Sequence, residues 1–535
     1  MAHQEAQAPE DSCTAADGGG GSETYEAAVR DLNGLQTNYQ ILEQIRASGG
    51  RLNENSIPEF EAFLEKMGHA VGDLDRLNVI HVAGTKGKGS TCAFVASILS
   101  QLQLTANSGG GGDGRLKVGL FTSPHLIEVR ERIQINGTPI SQPLFAQYFY
   151  ETYNALRSPT PALRRVAAES PDMPMYFRFL TLMAFHAFLR EHVDVAVVEV
   201  GVGGEYDSTN AVRRPVVCGI TSLGLDHQIT LGSTIQQIAW HKAGIIKRAV
   251  PVYTVAGQDP AALGVIRERA AERCAPLRVV DPDTQLGGSK VRLGIAGAHQ
   301  RTNAALAAAL CRDWVARTTA SLVLGAGSGG GGEDAVDAAI AAGLRGAAWP
   351  GRSQTFASPR HGPRLTWHVD GAHTVESMAA CARWFAQTQQ QAQRQPSAAG
   401  GARRVLLFNA AHARNAAQLL ATLVDALDAG CRFCEAVFCP NVSRRSDSAN
   451  ATVFTDPDLG PQKEAAAAWA RLAAASCSDA ATTAVLPSID DAVAYIESKH
   501  CDAAATGAAG PPTHVLVTGS LHLVGGVLDV AKGSI

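Results

Sequence analysis

Short apolar runs of β character alternate along this chain with apolar runs at helical spacing. Val79-Ile80-His81-Val82 is strand-like and leads into a helical stretch from Cys92 to Leu102. Lys117 to Thr122, Val195 to Val200 and Val216 to Thr221 are strand-like as well, while Thr234 to Ala243 has helical spacing. Such alternation predicts a parallel sheet covered by helices. A second series follows the break Trp349-Pro350-Gly351-Arg352, with strands at Leu365 to Val369, Val405 to Phe408, Ala436 to Phe438 and His514 to Val517. The pattern places a boundary near residue 345, with one α/β domain over 25–345 and a smaller one over 346–535. Residues 1–24 are polar and contain the run Gly18 to Gly21, which predicts a disordered tail. Gly109 to Gly112 and Gly329 to Gly332 read as inserted flexible loops, and the Ala-rich and Gln-rich stretches at 387–402 and 464–480 as surface elaborations of the second domain.

Bulk properties narrow the function. At 535 residues the chain exceeds what one hydrophobic core usually organises. With 46% hydrophobic and 18% charged residues and a net charge of −4, it has neither the basic excess of a nucleic-acid binder nor a polybasic stretch for a membrane surface, so a small-molecule substrate is expected. The most apolar helical window, Met173 to Leu189, is short for a bilayer and carries Arg178 and His186, which marks it as a core helix. The first residues, MAHQEAQAPEDSC, are acidic and lack both an apolar signal core and the Arg-rich character of a transit peptide. A cytoplasmic location is expected, with a mitochondrial or plastid isoform left open. The eleven cysteines are odd in number and lie mostly in apolar runs, as reduced core residues do. Cys431, Cys434 and Cys439 offer three thiols to a zinc ion, but Phe433, Val437 and Phe438 among them favour a buried strand.

The chemistry begins at Gly84-Thr85-Lys86-Gly87-Lys88-Gly89-Ser90-Thr91, between the first strand and its helix. Small residues let backbone N–H groups curl around an anion, the helix N-terminus adds its positive end, and Lys88 supplies a mobile charge for outer phosphates. The general spelling G-x-x-x-x-G-K-[ST] is not met: Val82 occupies the first Gly position, Gly89 follows Lys88, and Ser90 comes one residue late. A Gly/Lys-rich surface turn is the plainer reading of these residues alone. Ligands of open parallel sheets bind beyond the carboxyl ends of the strands, so polar residues there are candidates. Glu199, late in an otherwise apolar strand and followed by glycines, is either a satisfied buried carboxylate or a Mg²⁺ ligand beside a triphosphate. Ser123 precedes Pro124 after a strand, which is turn chemistry or a hydroxyl on the same ion. His227 follows another strand in SLGLDH, ahead of Lys242 in WHKAGIIK, although a lone histidine is more often a core or surface residue than a ligand. Asp370-Gly371-Ala372-His373 repeats the strand, acid, turn, histidine pattern in the second domain, and Thr518-Gly519-Ser520 opens a final helix.

Taken in order, GTKGKGSTCAF, TSPHLIEVRERIQING, YFRFLTLMAFHAFL, EVGVGGEYDSTN, SLGLDH, WHKAGIIK, HQRTNAALA, WPGR, DGAHT and VTGSLHLVGGVL resemble the folylpolyglutamate synthases of the eukaryotic type, within the Mur ligase superfamily, from about residue 25 to 531. Those enzymes also spell their phosphate loop GT(N/K)GK with a shortened lead. The resemblance implies an N-terminal P-loop ATPase-like parallel-sheet domain and a smaller C-terminal Rossmann-like α/β domain, with the active site in the cleft between them. It implies an ATP-dependent ligase that phosphorylates the γ-carboxylate of a folate's terminal glutamate and lets the amine of L-glutamate attack the acyl phosphate. By the same resemblance Gly87, Lys88, Gly89 and Ser90 hold the phosphates, and Ser123, Glu199 and His227 serve Mg²⁺. Lys242 matches a lysine that is carbamylated in relatives and then ligates a second metal site; an unmodified structural lysine is the alternative. Asn303, Arg352 and Asp370 would contact adenine, phosphates and ribose, and Arg132, His373 and Ser520 the glutamate that is added, with Lys88, Lys242 and His373 as the catalytic set. K⁺ belongs to the implied cofactors beside Mg²⁺; the implied partners are folates, L-glutamate and ATP, with the chain a monomer.

One stretch departs from the pattern. Relatives continue the strand after Phe-Asn with a Gly-Asp-Arg-Asp type loop, whereas here Phe408-Asn409 is followed by Ala410-Ala411-His412-Ala413-Arg414, in which only the Arg survives. Two other activities use similar machinery: a dihydrofolate synthase or bifunctional enzyme that adds the first glutamate to dihydropteroate, and a nucleotide-binding module without turnover. A Mur-type ligase is disfavoured because SPHL and DGAHT are spelled in the folate manner.

Overall fold

The computed structural model describes residues 23–35, 53–102, 115–157, 166, 172–287, 291–318, 332–393, 402–410, 415–427, 431–443, 458–475, 482–501 and 511–532. The first sheet contains β1 (Ile80–Ala83), β2 (Val118–Phe121), β3 (Ile133–Ile135), β4 (Thr138–Pro139), β5 (Val195–Glu199), β6 (Val217–Ile220), β7 (Val252–Val255) and β8 (Leu277–Val280). Their spatial order is β4-β3-β2-β5-β1-β6-β7-β8. From β2 to β8 every pairing is parallel, and only β3 and β4 add an antiparallel edge. Residues of β1, β5 and β6 are buried throughout, as expected of strands covered on both faces.

Register fixes where the chemistry sits. Val82 pairs with Glu199 on one side and Gly219 on the other, and Phe121 pairs with Val198. The carboxyl ends of β1, β2, β5 and β6 therefore lie along one edge of the sheet, and the loops that follow them open toward the same space.

The second sheet contains β9 (Gln354–Ser358), β10 (Gly362–Val369), β11 (Arg403–Phe408), β12 (Glu435–Phe438), β13 (Thr482–Val485) and β14 (Thr513–Thr518), in the order β13-β12-β11-β14-β10-β9. All pairings are parallel except the β9–β10 hairpin. Val369 pairs with Val517 and Phe408 with Thr518, so Asp370, Asn409 and Ser520 follow strands that end at one edge.

Helix Tyr176–Arg190 is buried nearly all round from Phe179 to Leu189, which explains its uninterrupted apolar sequence. Its polar exceptions are satisfied: Arg178 pairs with Glu59, Thr181 donates its hydroxyl to the Phe177 carbonyl at 2.8 Å, and His186 pairs with Glu151 at 2.7 Å. No helix among the described residues is long and apolar enough to cross a membrane.

The expectation of a surface elaboration is overturned at 464–475, whereas at 387–393 only Gln389 is buried. Helix Gly460–Ala475 buries Ala465, Ala468 and Trp469, and the Trp469 ring packs edge-on to Phe433 at 5.9 Å. Its alanines permit a close approach to the sheet. Residues 387–393 end the helix Val375–Gln393, where buried Gln389 meets His368 and His514. Residues 394–401 and 476–480 lie outside the described residues, as do 1–22, Gly109 to Gly112, Gly329 to Gly331 and the departing loop at 411–414. Gly332 starts the helix Gly332–Gly346. Cys431 and Cys439 are buried, whereas Cys434 is exposed and bonds the Arg404 carbonyl.

Candidate active site

The phosphate loop is held in shape by contacts that exclude side chains. Gly84 has φ +148°, and a Cβ there would lie 1.8 Å from Thr221 Oγ1. Gly87 has φ +89° and lies against the Asn303 amide, 2.2 Å from a built Cβ. The N–H groups of Thr85 and Lys86 both donate to the Ser222 carbonyl, at 3.0 and 3.1 Å, which ties the loop to the end of β6. Helix Lys88–Leu99 then begins with the Thr91 N–H on the Gly87 carbonyl, so the N–H groups of Lys88, Gly89 and Ser90 precede the first helical bond and remain for an anion.

Glu199, the last residue of β5, is only 4% exposed. Its Oε2 accepts the Ser123 N–H at 3.1 Å. A Cβ built at Gly89 would lie 3.4 Å from that oxygen and 3.3 Å from Trp349 Nε1, so acid and indole meet over the helix N-terminus. Burial pushes the Glu199 carboxyl above its usual range, against the pull of Lys88, the Ser123 N–H, Arg352 and Arg132. One carboxylate thus faces cations from three separate segments.

His227 occupies a left-handed conformation, φ +52°, and donates its backbone N–H to Asp226 Oδ1. Asp226 also pairs with Lys86 at 3.0 Å; although burial opposes it, Lys86 and His227 bring the Asp226 carboxyl down to about 2. His227 itself is lowered by crowding and by Lys242, Lys88 and Lys86, against Asp226. Lys242 is 3% exposed and donates from Nζ to the Gly84 carbonyl at 2.8 Å, directly beneath the loop. Burial, then Lys88, lowers its amine to about 7. Among the described residues no three His, Cys, Asp or Glu side chains surround a metal position. Glu199 with the Ser123 hydroxyl nevertheless fits Mg²⁺, which is bound by one or two carboxylates plus substrate phosphates and keeps its waters.

The second sheet brings Arg352 and Asp370 to this edge. Asp370 Oδ2 accepts the Ser353 N–H at 2.7 Å and its hydroxyl at 3.1 Å, and Oδ1 accepts the Ala372 N–H at 2.9 Å. Burial lowers Arg352, while Asp370 and Glu199 act in the opposite sense, so its guanidinium is within electrostatic reach of both sheets' carboxylates. Asn303 Nδ2 donates to Gln300 Oε1 at 2.9 Å, and Gln300 Nε2 contacts Ser90 Oγ at 3.4 Å and His299. His299 in turn feels Asp370, Arg383 and Arg352. The two halves also touch through Leu126 and Ile127, which pack on the second core; a Cβ at Gly525 would lie 2.1 Å from the Leu126 carbonyl.

Lys88, Ser123, Glu199, Arg132, Arg352 and Asp370 are thereby gathered in one place, with Lys242 and His227 beside Lys88. His373 donates from Nδ1 to the Gly371 carbonyl at 2.8 Å, next to Asp370. Ser520 is buried with its Oγ on Asn441 Nδ2 at 3.0 Å, and no contact among the described residues links it to Arg132.

Human mitochondrial folylpolyglutamate synthase is 41% identical over 575 aligned positions, covering 95% of this chain and 92% of the relative. The chain belongs to the folylpolyglutamate synthase family. The Mycobacterium tuberculosis folylpolyglutamate synthase in complex with ADP and AMPPCP has a TM-score of 0.65 at 25% identity, over 95% of this chain and 98% of that one. A folylpolyglutamate synthase solved with AMPPCP and folate has a TM-score of 0.59 at 25% identity, over 93% and 100% of the two chains. No protein-family model matches. The two α/β sheets correspond to the folylpolyglutamate synthase architecture.

Sequence reading did not assign Gln300, Trp349 or the Lys86–Asp226 pair to the site. Gln300 sits three residues before Asn303, on the same helical face, which is a readable signal. Trp349 lies in the WPGR motif, but its position over Gly89, far away in the chain, is supplied only by the fold.

Proposed function

We propose that this ATP-dependent ligase adds L-glutamate in γ-linkage to a folate, tetrahydrofolate in the first instance, through an acyl phosphate. The observation carrying the reading is the buried Glu199 carboxylate facing Lys88, Arg352 and Arg132 at once. Three cations against one acid leave a positive excess at the strand ends, which suits a triphosphate and the anion made from it.

A carboxylate resists attack by an amine because its carbon is electron-rich and oxide is a poor leaving group. Transfer of the ATP γ-phosphoryl group to the folate carboxylate oxygen releases ADP and creates an acyl carbon whose leaving group is phosphate. The glutamate amine attacks that carbon, the C–O bond breaks with its electron pair departing on phosphate, and the amine proton is lost to a base. In our reading the N–H groups of Lys88, Gly89 and Ser90 and the Lys88 ammonium hold the phosphates and take up charge in the transition state. Arg352, Asn303 and Asp370 grip the nucleotide from the domain junction. Arg132, His373 and Ser520 hold the incoming glutamate, with His373 Nε2 placed to accept the proton. Mg²⁺ on Ser123, Glu199 and His227 would neutralise the β- and γ-phosphates when bound, and K⁺ is a further proposed ion. We assign 25–345 as the ATP-binding domain and 346–535 as the glutamate-ligase domain. We take the chain to be a cytoplasmic monomer, while the name of the human relative keeps a mitochondrial form in view.

ADP release in MgATP should depend on both a folate and L-glutamate; release independent of glutamate would contradict the reading. Lys242 gives a second test. Its buried amine, lowered to about 7, is substantially neutral at neutral pH, and only the neutral amine reacts with carbon dioxide to form a carbamate. Activity in bicarbonate is expected to rise as the pH passes upward through 7. Lys242→Ala should lose activity about a hundredfold or more and regain part of it with a short carboxylic acid. Full activity of Lys242→Arg, which cannot be carbamylated in this way, would exclude the modification.

A further inference from the structure

Among the described residues Arg132 has no ion pair. It closes the turn Val129–Arg132 just before β3, with the buried Glu199 within electrostatic reach and the acids beside it in sequence committed elsewhere. Glu128 pairs with Arg130, and Glu131 accepts the backbone N–H groups of Leu126, Ile127 and Glu128. Among the described residues the only side-chain hydrogen bond made by Arg132 is from Nε to His125 Nδ1, at 3.0 Å. Its Cζ lies 5.4 Å from the centre of the Tyr176 ring. Among the described residues neither terminal nitrogen has a hydrogen-bond partner, which leaves both for a ligand; burial lowers the guanidinium's pKa, while Tyr176, Glu199 and Glu131 act in the opposite sense. That is the edge a carboxylate binds in bidentate fashion.

Bidentate binding requires the guanidinium plane and its rotation to be fixed in advance. The ring face of Tyr176 fixes the plane, and the Nε bond to His125 fixes the rotation within it. His125 is 6% exposed and accepts the Arg132 Nε–H at Nδ1, so burial holds the acceptor in place. Tyr176 is the first residue of its helix and donates its N–H to the Leu35 carbonyl at 3.3 Å. The next residue, Phe177, packs so closely on Gly201 that a Cβ there would lie 2.4 Å from Phe177 Cζ. The helix start is thus keyed to the segment just after Glu199.

We propose that His125 and Tyr176 are positioning residues that hold the Arg132 fork toward the carboxylate of the incoming L-glutamate, and so set the affinity for that substrate. The proposal rests on the reading that Arg132 contacts the added glutamate. Steady-state KM values for L-glutamate, tetrahydrofolate and ATP, with thermal midpoints, separate the two. Tyr176→Leu is expected to raise the glutamate KM roughly tenfold, from loss of a partly desolvated cation–π contact, while Tyr176→Phe stays within about twofold because the ring face is kept. His125→Ala should raise the same constant by a similar factor, and His125→Gln, whose amide oxygen can accept from Nε, should restore most of it. The ATP KM and the thermal midpoint should not move. An unchanged glutamate KM in Tyr176→Leu and His125→Ala overturns the proposal. So do parallel rises in all three constants with a lowered midpoint, which would mark a purely structural role, and so does a shift confined to the folate KM. Arg132→Ala tests the underlying reading separately: an unaltered glutamate KM there removes Arg132 from the glutamate site, whatever the other variants do.

Discussion

Lys88→Ala reduces folate- and glutamate-dependent ADP release by about a thousandfold or more, with the fold intact. Lys88 stands at the N-terminus of its helix, beside three N–H groups that precede the first helical bond, and within reach of the buried Glu199. Removing its ammonium takes away charge stabilisation that is realised as the γ-phosphoryl group transfers, and deletion of a single preorganised donor of this kind costs about 10²–10³ in rate. The loss should appear mainly in kcat, since the N–H groups and Arg352 still bind ground-state phosphates. Full activity in this variant would place the phosphates somewhere other than the loop after β1.

The second large effect is expected at Glu199. Glu199→Gln keeps shape and the hydrogen bond from the Ser123 N–H but removes the negative charge, leaving Lys88, Arg352 and Arg132 without it. The activity should fall by about a hundredfold or more and the Mg²⁺ requirement should rise, as hard cations need an ionised oxygen ligand. Stability should move the other way. The folded-state pKa of Glu199 is raised above its unfolded value, so the folded chain binds more protons in the window above the usual carboxylate pKa, and stability falls as the pH climbs through that window. Glu199→Gln removes that term, so in the absence of ligands the variant should be at least as stable as the parent at neutral pH by thermal melt. A variant that is both inactive and strongly destabilised would instead make Glu199 a structural residue. Holding an ionised acid in a dry site at a cost in stability is what a binding site does, and a packed core avoids it.

Which parts of this were legible in the sequence follows from how each element is built. The strands of the sheet centres are continuous apolar runs because both faces are covered, and β1, β5, β6, β11 and β14 were readable to within two residues at each end. Edge strands were not. In β8 both Arg278 and Val279 are exposed, and β13 is exposed or half-exposed throughout, so neither carries the run that marks a buried strand. Helix Gly460–Ala475 was misread for a different reason: its alanines look like low complexity, yet their small size is what lets Trp469 and its neighbours lie flat against the second core. Lys88, Glu199, His227 and Asp370 stand inside contiguous motifs that marked them as candidates. The contacts of Trp349 with Gly89 and of Tyr176 with Arg132 were not legible, since they join segments far apart in the chain, and that of His125 with Arg132, seven residues on, depends on the turn between them.

The most direct test of the central claim is the mass of the product. Purified chain incubated with MgATP, labelled L-glutamate and tetrahydrofolate is predicted to yield a ladder of species, each heavier by one glutamyl residue. Incorporation only when dihydropteroate replaces tetrahydrofolate, or none with either, would contradict it.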